Sequence, residues 1–228
     1  MAPNMSPITI RNTNAKQLCN QKDKIEPPIE IQIEHEIDTK LLSIINNGYN
    51  IAKYYIPYHL RCSCKHELLQ GLPKSFVVPP AQPPELYLRV ATFSYGMEKK
   101  FEAFFEQIPT HMKLKNENAK EIFISLCRRV VSSDVNWGRV ISIFTVGGAF
   151  AVHFVNKGQL DIVKSIPGWV QEVLETTEGL PEWIQEQGGW EKLSLRSKDD
   201  LNNASWSSYV TVGFGVAAAG MLLFGLSK

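Results

Sequence analysis

Hydrophobic positions along this chain recur at steps of three and four, the spacing of helices that bury one face. Over 36–56 they are Ile37, Leu41, Ile44, Ile45, Ile51 and Tyr55, with Gly48 a weak point in the middle. Over 85–108 they are Leu86, Val90, Phe93, Met97, Phe101, Phe104, Phe105 and Ile108. Pro83-Pro84-Glu85 places prolines and an acid where a first turn favours them, and Pro109 marks the expected stop. Asn116-Glu117 caps a further helix carrying Ile122, Phe123, Leu126, Val130 and Val131. Another pattern fills 159–177, with Leu160, Ile162, Val163, Ile166, Trp169, Val170, Val173 and Leu174. Pro167-Gly168 interrupts it and predicts a kink or two short helices, because proline removes a backbone bond and clashes with the preceding turn. A turn at 178–181 and short helices over 182–187 and 190–195 close the series.

One stretch departs from this amphipathic pattern. The run from Val140 to Val155 is apolar all round, and its sixteen residues reach about 24 Å as helix, short of the ~20 residues a membrane span needs. The pattern predicts a core helix wrapped by others. Asn136 is a good N-cap, Gly138 leaves a bare patch for close helix approach, and Gly158 is a natural stop after Asn156-Lys157. Arg139 falls in the first turn, where the helix dipole favours acids. A cation there points to pairing with an incoming carboxylate.

The remaining segments are expected to be non-helical or membrane-bound. Residues 1–35 mix prolines, asparagines and charges without period and read as disordered. Residues 57–84 hold five prolines after Pro57 and read as a long loop. Residues 198–205 read as a polar linker. Residues 206–226 are uncharged and long enough to cross a bilayer as a tail anchor, with Trp206 and Tyr209 as interfacial residues. The rival expectation is that this segment folds back onto the protein. Gly213/Ala217 and Gly215/Ala219 have the small-xxx-small spacing that lets membrane helices pair.

Composition excludes several classes. A chain of 228 residues with 44% hydrophobic and 21% charged residues suits one domain with appendages. A net charge of +1 lacks the basic stripe of a nucleic-acid binder. Cys19, Cys62, Cys64 and Cys127 form no secretory framework, and the first thirty residues lack the apolar core of a signal peptide, so a reducing compartment is expected. His59-x-x-Cys62-x-Cys64-x-His66 is too compact for a structural zinc site and is read as solvated loop residues, with no metal expected. There is no phosphate loop, nucleophile elbow or metalloprotease histidine pair; His35, His111 and His153 are isolated, and an enzyme is not expected.

Two signatures carry a resemblance. Val135-Asn136-Trp137-Gly138-Arg139 with Gly147-Gly148-Ala149, followed by Trp183-Ile184-Gln185-Glu186-Gln187-Gly188-Gly189-Trp190, resemble the first and second homology motifs of the Bcl-2 family of apoptosis regulators. The resemblance covers roughly 85–197 and agrees with the apolar tail. It implies an all-α, Bcl-2-like helical bundle of about seven to eight helices around a central hydrophobic helix, spanning 36–197, plus a C-terminal transmembrane helix. The 36–56 helix is similar to the one bearing the fourth motif. Leu86, Val90, Phe93 and Met97 align with the ladder of the third motif and Ser94 with its small residue, but Tyr95 stands where that motif has aspartate. A segment without that carboxylate is a poor ligand for another member's groove.

The resemblance also implies a function: capture of an amphipathic death-motif helix from pro-apoptotic partners. It assigns the trough to Met97, Phe101, Phe105, Ile108, Leu126, Val130 and Val146, with Trp137 beside them. Arg139 would pair with the ligand's aspartate, Asn136 would hydrogen-bond near it, and Gly138 would admit its backbone. No cofactor is implied, homo- or hetero-dimers are open, and the membrane expected is the mitochondrial outer membrane or endoplasmic reticulum. The glycine pair, the first-helix counterpart and the missing aspartate favour a pro-survival role. The alternative is a pore-forming effector that inserts its buried central helix.

Overall fold

The computed structural model describes residues 29–78, 80–132 and 135–194, with side chains from Asp38 onward except those of Ser75 and Ser194. The described residues are helical and contain no strand: α1 (Ile29–Ser63), a 3-10 turn (His66–Leu69), α2 (Lys74–Val77), α3 (Glu85–Lys100), α4 (Glu102–His111), α5 (Ala119–Val131), α6 (Trp137–Asn156), α7 (Leu160–Thr176), α8 (Leu180–Glu186) and α9 (Gly189–Ser194). The expected transmembrane segment at 206–226, the linker at 198–205 and residues 1–28 of the expected disordered segment lie outside the described residues.

The central helix is where the apolar run places it. From Val140 to Ala151 every residue of α6 is buried, and α3, α4, α5, α7 and the 3-10 turn pack around it. It is also the described helix long and apolar enough to cross a membrane, and 83% of its apolar 18-residue stretch is buried inside the protein. Gly147 and Gly148 explain how α1 comes so close. A Cβ on Gly148 would lie 2.8 Å from both His59 Cδ2 and the Tyr55 hydroxyl, and one on Gly147 would lie 3.2 Å from Ile56 Cδ1. The glycine pair is therefore a packing device for the α1–α6 crossing.

Several boundaries differ from those the sequence predicts. α1 begins at Ile29 rather than 36 and continues through Pro57 to Ser63, so the long loop shrinks and itself contains the 3-10 turn and α2. The single helix over 85–108 is two, broken at Phe101 (φ −121°, ψ 31°), and Pro109 lies inside α4 instead of ending it. α7 is continuous across Pro167. In each case tertiary burial outweighs the local cost of proline. Ile51, Ala52, Tyr55, Ile56 and Leu60 around Pro57, and Val163, Ile166, Val170, Val173 and Leu174 around Pro167, are at most 1% exposed. α5 starts at Ala119, two residues later than expected. Asn118 occupies its cap position, and its side-chain oxygen accepts from the Lys115 N–H in the preceding turn at 2.8 Å.

Candidate partner-binding site

Asn136 sets the start of α6. Its backbone is extended (φ −149°, ψ 164°), and its side-chain oxygen accepts the Arg139 N–H at 3.1 Å, satisfying a donor that the first turn leaves orphaned. Gly138 is buried in the same turn. Arg139 follows at 4% exposure, its carbonyl accepting the Ser142 hydroxyl at 2.6 Å. Both the burial and the positive end of the helix oppose a guanidinium there.

The remaining trough residues lie on elements that adjoin α6. Met97 lies in the last turn of α3, and the Thr145 hydroxyl reaches its Sδ at 3.7 Å, fastening α3 to α6 one residue from Val146. Phe105 and Ile108 lie on α4, and Leu126 and Val130 on α5. These five and Val146 are at most 4% exposed and belong to one buried cluster, against which the half-buried Phe101 packs. Ser94 is fully buried, whereas Tyr95 is 50% exposed with Lys99 Nζ 5.9 Å from its ring centre.

Trp137 has a partner set that spacing alone did not reveal. Its ring lies 5.4 Å from that of Trp183 and 5.9 Å from that of Trp190, and Phe144 is 5.9 Å from Trp190. The two glycine-and-tryptophan motifs are thus one aromatic cluster that seats α8 and α9 against the start of α6. The recurrence of tryptophan beside glycine was the available signal.

A cleft of about 320 Å³ borders this region, lined by Glu98, Glu102, Phe105, Glu106, Pro109, Ala149, Val152, His153 and Asn156. Phe105 is common to the cleft and the trough. Burial raises the Glu98 carboxyl to about 7, with Glu102 and Glu106 adding to the shift and Lys99 opposing it. Burial, then Lys157, lowers His153. His59, read from the sequence as a solvated loop residue, is instead on α1 and 2% exposed, while Cys62 is exposed and Cys64 half-buried. Among the described residues no group of three His, Cys, Asp or Glu could hold a metal ion.

Residues 90–190 match the family model described as apoptosis regulator proteins, Bcl-2 family. Apoptosis regulator Bcl-2 of Gallus gallus is 29% identical over 143 residues, 59% of this chain and 60% of that protein. Apoptosis regulator R1 of Xenopus laevis is 31% identical over 133 residues, 55% of this chain and 58% of that protein. The chain therefore spans somewhat over half the length of the curated relatives it matches. Among solved structures, Trichoplax adhaerens trBcl-2L2 bound to trBak BH3 superposes with a TM-score of 0.55 at 25% identity, covering 65% of this chain and 95% of that one. Motifs, helical fold and relatives agree in their likeness to the Bcl-2 family, whose model the chain matches over residues 90–190.

Proposed function

We propose that this protein regulates apoptosis by binding, without catalysis. In this reading it captures the amphipathic death-motif helix of pro-apoptotic family members on the surface formed by α3, α4, α5 and the start of α6. Helix-in-groove recognition needs apolar seats at i, i+3/i+4 and i+7 spacing and a polar group that fixes register. The observation that carries the reading is the confluence of Met97, Phe105, Ile108, Leu126, Val130 and Val146 on adjoining helices with Arg139. The trBcl-2L2 relative, bound to trBak BH3, supports it. Because these seats are buried here, a partner helix must open the surface to reach them, and association should be slower than the ~10⁵–10⁷ M⁻¹s⁻¹ of preformed sites.

The role we favour is restraint of cell death. The exposed Tyr95 in the aspartate position leaves the chain's own third motif without the carboxylate a ligand helix needs, and the named relatives are apoptosis regulators. Anchoring by 206–226 in the mitochondrial outer membrane, or in the endoplasmic reticulum, completes the proposal. The buried apolar α6 favours a second reading, a pore-forming effector. Liposome dye release separates the two. A restrainer should block release caused by an added effector and cause none itself. Release by the full chain alone would contradict restraint.

A further inference from the structure

His59 and Glu98 meet where α1, α3 and α6 converge. The His59 ring is stacked on Tyr55, centres 5.5 Å apart, and Gly148 of α6 closes over its edge. Its Nε2 lies 3.3 Å from Glu98 Oε1, off the line of a good hydrogen bond, with side-chain exposures of 3% and 22%. Glu102 and Glu106 of α4 and His153 of α6 share the cleft with Glu98. Lys99 of α3 neighbours Glu98, Lys157 neighbours His153, and Tyr55 supplies a buried hydroxyl from α1.

We propose that His59 and Glu98 form a one-proton latch: while the buried pair holds a single proton the C-terminal half of α1 stays closed onto α3 and α6, and loss of that proton in mildly alkaline solution leaves a buried carboxylate that loosens that half of α1.

The signs follow from each group's environment. Burial lowers His59 from 6.5 to about 4, so the folded protein keeps its ring neutral. Its stabilisation is present above 6.5 and is lost as pH falls toward 4. Burial raises Glu98 from 4.5 to about 7, so its stabilisation is present below 4.5 and is lost as pH rises through 7. Between 4.5 and 6.5 the two slopes oppose one another and the pair keeps a single proton. Above 6.5 only the Glu98 slope remains. The ionised carboxylate then faces Glu102 and Glu106 and a neutral ring poorly aligned to donate to it.

Hydrogen exchange of the full chain at about pH 6 and about pH 8, corrected for intrinsic rates, tests the latch. In wild type the protection of residues 51–63 should fall about two- to threefold, since only about half a pKa unit separates 6.5 from 7, and in His59→Phe, where the carboxylate slope is unopposed, it should fall about tenfold. In Glu98→Gln it should instead rise about fourfold, because the His59 slope is then unopposed. An unchanged wild type, or an equal fall in Glu98→Gln, overturns the proposal. His59→Phe keeps a ring on Tyr55 and exposes the carboxylate slope alone. Its denaturant midpoint should decline from about pH 4.5, where wild type stays level up to about 6.5. Identical wild-type and His59→Phe profiles would also overturn it.

Discussion

The Trp190 indole N–H donates to the Ile44 carbonyl at 2.9 Å, tying the last described helix to the first across 146 positions of sequence. Trp190 is 2% exposed and is also a member of the Trp137 cluster. Trp190→Phe should lose about 1 kcal/mol through the hydrogen bond and Trp190→Ala about 3–5 kcal/mol through the cavity. Urea unfolding measures both, and two near-neutral substitutions would mean that α9 is not seated as described.

Two glycines should respond in opposite directions. Gly148→Ala drives a methyl into His59 and Tyr55 at 2.8 Å, and should destabilise by about 1–3 kcal/mol. Gly96 lies on the exposed face of α3 with nothing within 4 Å of an added Cβ. Gly96→Ala should therefore stabilise by about 0.5–1 kcal/mol, through lower chain entropy when unfolded. Thermal melts of the pair decide, and equal effects would contradict the close α1–α6 crossing.

The helix cap can be tested apart from binding. Asn136→Ala should lose about 1 kcal/mol, whereas Asn136→Asp keeps an acceptor for the Arg139 N–H and should stay close to wild type. Denaturant midpoints that fall equally would assign Asn136 some role other than capping.

Thiol accessibility gives a fourth check. Cys62 is exposed, Cys64 is half-buried with its thiol pushed up by burial, and Cys127 is fully buried on α5 with its thiol pushed further up. Because the thiolate is the reactive form, among the described cysteines Cys62 should be modified first, Cys64 more slowly and Cys127 only on unfolding. Mass-mapped labelling with a thiol reagent reads the order. Early modification of Cys127 would contradict the packing of α5 against α6 and α7.

The sequence disclosed the parts whose physics is local. The apolar run at 140–155 could only be buried, and Asn136 had the side chain and position of a cap; α6 and its first turn appear as expected. Pro57, Pro109 and Pro167 misled, because their cost is local while the burial that outweighs it comes from residues distant in sequence. The break at Phe101 has no proline or glycine at it. His59 shows the same limit. The prolines from Pro57 onward place it in an expected loop, while its actual neighbours, Glu98 and Gly148, are far along the chain. The expected trough rests on resemblance rather than on spacing, since each of its apolar residues is equally suited to a core.

Arg139 is the most direct test of the proposed function. The full chain, wild type and Arg139→Ala, would be titrated calorimetrically with a death-motif helix from a pro-apoptotic partner, with circular dichroism to verify the fold. Truncating one member of a buried charge pair costs about 2–5 kcal/mol, so the variant should bind at least about tenfold more weakly while remaining helical. A folded Arg139→Ala protein that binds the helix as tightly as wild type would contradict the account.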